Sequence, residues 1–236
     1  MTPFPLRDKT NKHIAILGGG MLASQLHKQL NVSQLEAECY NHSTLPWSQL
    51  HTVVCAYDIE AHTHALAMSK ACQQHNVQLL CISMRAPEFA ISPIFSSAGQ
   101  PCYQCWHQRR LSLSHNANAE QAFSTQITKQ HTSNTLKETV PGGLFQCQAA
   151  QVSAYAVQVV MKSLSSNSET ISSTTTKNTS YRYITGNMLT ANVSSHPLYP
   201  LGTCPQCGQY HITSEDYLNE LRESLTPSPA TGAGHE

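Results

Sequence analysis

The sequence predicts an α/β fold: a mostly parallel sheet flanked by helices, with a four-cysteine knuckle clipping the C-terminal part of the chain to that sheet. Three observations predict it. Short apolar, β-branched runs alternate with segments of helical spacing in the N-terminal part. A glycine turn joins the first such run to the first such segment. Two Cys-x-x-Cys pairs, in "PCYQC" and "TCPQC", stand about a hundred residues apart.

The elements follow in chain order. "HIAIL" (13–17) reads as a buried parallel strand. "MLASQLHKQL" after the glycines carries apolar residues at helical spacing. Strand, turn and helix, with the pattern Gly18-x-Gly20-x-x-Ala23, make the opening unit of a Rossmann-type domain. "LEAECYN" is a second strand and "HTVVCAYD" (51–58) a third. "EAHTHALAMSKACQQHN" places Ala65, Met68 and Cys72 on one helical face, and "VQLLCISM" is another buried strand. Such alternation argues for a parallel sheet.

After Cys105 the chain turns polar and reads as a long connection, with flexible loops over 112–140 and 163–180. The second of these is Ser/Thr low-complexity sequence that cannot supply core. "GGLFQCQAAQVSAYAVQVVMKSL" between them reads as a helix whose alanines permit close packing. "YRYITGNMLTANVSSHPLY" reads as a hairpin turning at Thr185-Gly186-Asn187. The expected organisation is a lead-in over 1–12, one domain over 13–210, and a C-terminal helix with a disordered tail over 211–236.

Composition narrows the function. With formal net charge zero and 12% charged residues, the chain lacks the electrostatic footprint of a nucleic-acid binder. No apolar run reaches the ~18 residues of a membrane helix, and the start has no signal-peptide pattern. A soluble cytoplasmic protein is expected. No Gly-x-Ser-x-Gly or Ser-His-Asp arrangement marks a hydrolase.

Of the nine cysteines, Cys39, Cys55, Cys72, Cys81 and Cys147 stand singly among apolar neighbours and are expected to be small buried hydrophobes. The other four are the pairs. Each Cys-x-x-Cys can place two thiolates on one ion, so Cys102, Cys105, Cys204 and Cys207 make a closed four-thiolate zinc site. Such a site has no open position and is structural. Disulfides are disfavoured in a reducing compartment. A thioredoxin-like pair is expected at a helix head near the chain start, which neither pair occupies. His107 and His196 lie beside the knuckles and could approach the metal, though solvated or capping roles are expected. His62 and His64 face apart on a helix. Arg109 and Arg110 read as an exposed face.

Taken together, these stretches resemble the ThiF/ubiquitin-activating-enzyme-like superfamily over roughly residues 12–210. "ISPIFSSAGQPCYQC" and "SSHPLYPLGTCPQCG" are similar to that family's two cysteine segments. The resemblance implies a nucleotide approached by Gly18 and Gly20, with magnesium near Asp58 or Glu60. Adenylating members also carry an arginine after the second strand and an Asp-Asn pair. Here "HSTLPWSQLHT" has no arginine, and Asp58 is followed by isoleucine. A triphosphate needs fixed positive charge and a metal-holding carboxylate. The nucleotide site is therefore expected to be vestigial, with ATP not used by this chain and the glycines kept for packing.

Within the superfamily the chain is most similar to the ThiF-like partners of YcaO peptide cyclodehydratases, which make thiazole/oxazole-modified microcins. That implies a non-adenylating zinc-bound scaffold that assembles a YcaO protein with a precursor peptide. A homodimer and a flavin dehydrogenase partner belong to the same expectation. Only about a dozen residues precede the first strand, so the usual leader-recognition segment is expected to be missing. The alternatives are an active ThiF/MoeB-type adenylating enzyme and a plain dinucleotide dehydrogenase. Cys39-Tyr40-Asn41 at the end of the second strand, where an acidic residue would hold the ribose, argues against the latter.

Overall fold

A strand buried on both faces needs apolar residues at every position, and "HIAIL" has almost that. In the computed structural model it forms β1 (His13–Leu17), with Ile14 through Leu17 fully buried. The structure describes residues 13–40, 45–58, 61–85, 87–95, 101–114, 117–119, 122, 146–166 and 181–208. The lead-in, the C-terminal tail and most of the two expected loops lie outside these.

The further elements are α1 (Met21–Val32), β2 (Ala37–Tyr40), β3 (Leu50–Tyr57), α2 (His62–His75), β4 (Gln78–Arg85) and β5 (Glu88–Ile91). Then come α3 (Tyr103–Leu113), α4 (Gln146–Ser166), β6 (Arg182–Asn187) and β7 (Asn192–Pro197). The strands form one sheet in the order β2-β1-β3-β4-β5-β6-β7. The first four are mutually parallel; β5, β6 and β7 extend the sheet antiparallel. A parallel core with an antiparallel wing is thus the outcome of the "mostly parallel" expectation.

Alternate residues of each strand feed two layers. Ile14, Ile16, Val54, Leu80 and Ile82 pack against Leu22, Leu26 and Leu30 of α1 and Val152, Ala156 and Val160 of α4. Ala15, Leu17, Val53, Leu79 and Cys81 pack on the other face against Met68 and Cys72 of α2 and Tyr103 and Trp106 of α3. Helix α2 stops at Asn76, which adopts the left-handed conformation asparagine tolerates.

Several sequence expectations are corrected. Helix α3 runs to Leu113 and α4 to Ser166, so neither expected loop begins where the polarity suggested. The hairpin turns after Asn187, with Ala191 at φ 54°, and Thr185-Gly186-Asn187 lies inside β6. Strand β5 had no counterpart in the sequence reading.

Two cysteines are also corrected. Cys39 and Cys147 are exposed. Cys39 sits on β2, the edge strand of the sheet. Cys147 lies two residues before Ala149, out of phase with the buried Ala149, Val152, Ala156 and Val160 stripe.

Candidate metal centre and glycine turn

The first knuckle lies at the start of α3. Cys102 is the last extended residue before that helix, and Cys105 lies in its first turn. The first pair therefore heads a helix, but one that follows β5 and not a strand at the chain start. The second pair lies in turns after β7, where the Cys204 N–H bonds to Leu201 O and the Gly208 N–H to Cys204 O. All four cysteines are buried and form a cluster of their own.

The sulfurs cross the knuckles. Cys102 Sγ is 3.6 Å from Cys204 Sγ, and Cys105 Sγ is 3.4 Å from Cys207 Sγ. Within the first pair the separation is 3.9 Å. All four ligand atoms lie within 4.8 Å of one another. A tetrahedral ion with metal–sulfur bonds of about 2.3 Å spaces its ligands about 3.8 Å apart. The observed spacings bracket that value, so the residues fit one tetrahedral ion. Cross-pair contacts this short are not expected of two independent redox pairs.

Electrostatics point the same way. Hydrogen bonds from the Cys102 and Cys207 thiols hold Cys105 well below the usual thiol range, and the Leu201 N–H adds to this from 3.4 Å. The Cys102 thiol is pushed up, chiefly by its hydrogen bond to Cys105 and then to Cys207. The cluster shares protons that a dication would displace.

Residues around the cluster lock it to the sheet layer. Gln206 Nε2 donates to Ser69 Oγ at 2.7 Å and to Gln73 Oε1 at 3.2 Å, tying the second knuckle to α2. His62 stacks on His107 with ring centres 3.7 Å apart and meets Tyr103 OH through Nδ1 at 3.1 Å. His107 is buried, so the solvated or capping role expected for it is corrected. His196 Nε2 instead lies 3.0 Å from Thr185 Oγ1 on the neighbouring strand. None of Ser69, Gln73 or Gln206 stood out in the sequence. The glutamine at the third place of both pairs, Gln104 and Gln206, was the available signal.

The glycine turn joins β1 to α1, whose helix belongs to the other face of the sheet. Helix α1 has no side-chain cap from Gly20. Its N-terminus is satisfied from across the sheet: Met21 N–H donates to Asp58 Oδ2 and Leu22 N–H to Asp58 Oδ1, both at 2.8 Å. A carboxylate at this position complements the helix dipole and two otherwise orphaned donors. Both glycines are required by this packing. A Cβ at Gly18 would fall 2.0 Å from Ala56 O, and one at Gly20 2.1 Å from Asp58 Oδ2. Their φ values of 144° and 94° are likewise disfavoured for other residues. Glu60 lies outside the described residues. No helix among the described residues is long and apolar enough to cross a membrane.

No protein-family model and no curated sequence matches the chain. Solved structures do. A heterocyclase in complex with substrate and cofactor superposes with a TM-score of 0.56 at 16% identity, covering 85% of this chain. The match takes in only 26% of that heterocyclase, so this chain spans about a quarter of its length. The E. coli microcin synthetase McbBCD complex with pro-MccB17 bound gives 0.53 at 14% identity, covering 86% of this chain and 73% of that one. E. coli MccB with AMPCPP and MccA gives 0.53 at 13% identity, covering 85% and 67%. The chain shares the fold of the matched part of each of these proteins.

Proposed function

We propose that the chain is a zinc-bound, non-adenylating scaffold subunit of a heterocycle-forming peptide synthetase. In this reading it assembles a YcaO cyclodehydratase with its precursor peptide in the cytoplasm, as a homodimer, with a flavin dehydrogenase acting on the product. The fold shared with heterocyclase and microcin synthetase subunits supports the setting.

One observation carries the non-adenylating part. The two α1 N–H groups that a Rossmann-type turn offers to a phosphate already hold the Asp58 carboxylate. A phosphate arriving within about 4 Å of that carboxylate meets a repulsion of about 4 kcal/mol at an effective dielectric near 20. The segment after β2 supplies no arginine to offset it. Gly18, Gly20 and Asp58 then form a vestigial nucleotide site, retained because α1 packs on β3 through it. Zinc is the ion proposed for Cys102, Cys105, Cys204 and Cys207, because four thiolates at tetrahedral spacing suit it and leave no open position.

A second reading, an active ThiF/MoeB-type adenylating enzyme, draws on the shared fold with MccB bound to AMPCPP. In that case Asp58 would leave α1 to hold magnesium.

Reconstitution separates the two. The chain is mixed with a candidate YcaO protein and precursor peptide, and ring formation is read as loss of one water per heterocycle by mass spectrometry. The scaffold reading expects ATP-dependent rings only when chain and YcaO protein are both present. A YcaO protein that works equally well alone would contradict it.

A further inference from the structure

The two edges of the sheet differ in charge. The β2 edge carries the exposed Glu38 carboxylate, and such a charge discourages another strand from adding. The β7 edge carries none, and Arg182 is the only Lys, Arg, Asp or Glu between residues 181 and 208. Every residue of β7 except His196 is exposed, and among the described residues no strand pairs beyond it. Leu189, Val193 and Tyr199, three of the exposed large hydrophobics, lie on this hairpin and just after it.

Register fixes which backbone groups are open. The Met188 N–H donates to Pro87 O, toward β5, and the Leu198 N–H donates to Tyr181 O, toward β6. Alternation then turns Asn192, Ser194 and His196 to β6 and leaves Val193, Ser195 and Pro197 facing outward. Pro197 has no N–H. The Ser195 carbonyl already accepts Arg182 Nη2 at 2.7 Å, and Ser195 Oγ accepts Arg182 Nε at 3.0 Å. Val193 alone in β7 offers both an open N–H and an open C=O.

Antiparallel strands exchange two bonds where a residue with both groups free lies opposite another. A two-fold axis needs one such residue, because it sets that residue against its own copy. We propose that the chain pairs with a second copy of itself through β7, antiparallel, with the axis at Val193, so that the two sheets become continuous. Charge suits this occupant, since a charged residue at the axis would repel its own copy and Val193 is neutral. The Arg182 guanidinium is held at Ser195, two residues from Val193, or about 7 Å at about 3.3 Å per residue. The two guanidinium groups therefore stand on opposite sides of the axis, about 13 Å apart, beyond the screening length of about 8 Å. The same register carries Leu189 of one copy toward the end of the other that bears Pro197 and the exposed Tyr199. The pairing of identical copies rests on the homodimer of the synthetase reading; its place rests on β7 alone.

Sedimentation velocity of the metal-loaded full chain over a concentration series, with hydrogen exchange alongside, tests this. The wild type is expected to dimerise, with exchange at the Val193 amide slowing as dimer forms and exchange at Ser194, bonded to β6 throughout, unchanged. Val193→Lys and Val193→Glu, at an exposed position, are each expected to fold as the wild type does. Each is expected to weaken the dimer about tenfold, because like charges then face each other across the axis. Mixing the two variants is expected to restore pairing to within about threefold of the wild type. That rescue requires residue 193 opposite residue 193, which a dimer through another face does not provide.

A monomeric wild type, a dimer that both variants leave intact, or variants that fail to rescue each other would overturn the proposal. So would protection of the Val193 amide that appears only when a YcaO protein is added. A monomeric wild type that still enables ring formation by a YcaO protein would sink this surface and leave the scaffold reading standing. A dimer centred on Val193 without ring formation would do the reverse.

Discussion

Replacing Cys204 by serine removes one of the four sulfurs and, with it, the clip between α3 and the segment after β7. The tie spans 102 residues from Cys102 to Cys204. Closing a loop of about 100 residues is worth about 4–5 kcal/mol in the chain-entropy treatment of cross-links. A serine hydroxyl is a poor ligand, so most of that is lost, and a destabilisation of about 3–5 kcal/mol is expected. For a chain of this size each kcal/mol moves the melting temperature by about 2–4 °C. Calorimetry on the metal-loaded protein should therefore show a fall of roughly 10–15 °C. Metal analysis should show the bound ion lost or labile. A chelator should bring the wild type down by a similar amount and leave the variant nearly unmoved. Cys39→Ser, at an exposed position, is the control and should change stability by less than about 0.5 kcal/mol. A Cys204→Ser protein that keeps its metal and melts with the wild type would refute the clip.

Three further outcomes follow from the geometry. Gly18→Ala should prevent cooperative folding or lower soluble yield sharply, since the added Cβ meets backbone Ala56 O at 2.0 Å and cannot be relieved by a rotamer. Asp58→Ala removes the carboxylate that caps the N-terminus of α1 and should lower stability by about 1–2 kcal/mol in denaturant titration, with early loss of protection at the Met21 and Leu22 amides. Tyr40 is held up at about 12, first by its hydrogen bond to Glu38 and then by burial. Because that folded value is raised, the stabilisation is full below the ordinary tyrosine range and fades as pH climbs from about 10 to about 12. Glu38→Gln should bring the Tyr40 titration, followed by ring chemical shifts, back toward the ordinary value and remove that slope.

Much of this fold is written in local pattern, and the exceptions have physical causes. β1 was readable because a two-sided parallel strand must be apolar at consecutive positions, as Ile14 to Leu17 are. The four cysteines were readable because ligand spacing is a short-range property of the chain. Helix α3 was not readable. Its buried residues Tyr103, Cys105, Trp106 and His107 crowd into the first turns, and its polar remainder walls a cleft, so no 3.6-residue stripe develops. β5 is only four residues long and ends a hairpin with β4, too short for alternation to register. Asp58 was legible as a carboxylate near a Rossmann turn. Its partners Met21 and Leu22 are 37 and 36 residues away, and only the folded sheet joins them. His107 looked like a solvated histidine because nothing local announces a stack with His62 on another helix.

The central claim is that this chain does not adenylate, and the direct measurement is ATP–pyrophosphate exchange by the isolated, metal-loaded protein with magnesium present. No exchange, and no ATP binding by calorimetry at millimolar nucleotide, is the predicted result. Exchange above background would contradict it: Asp58 would then have left α1 for a metal ion, and the chain would be an adenylating enzyme.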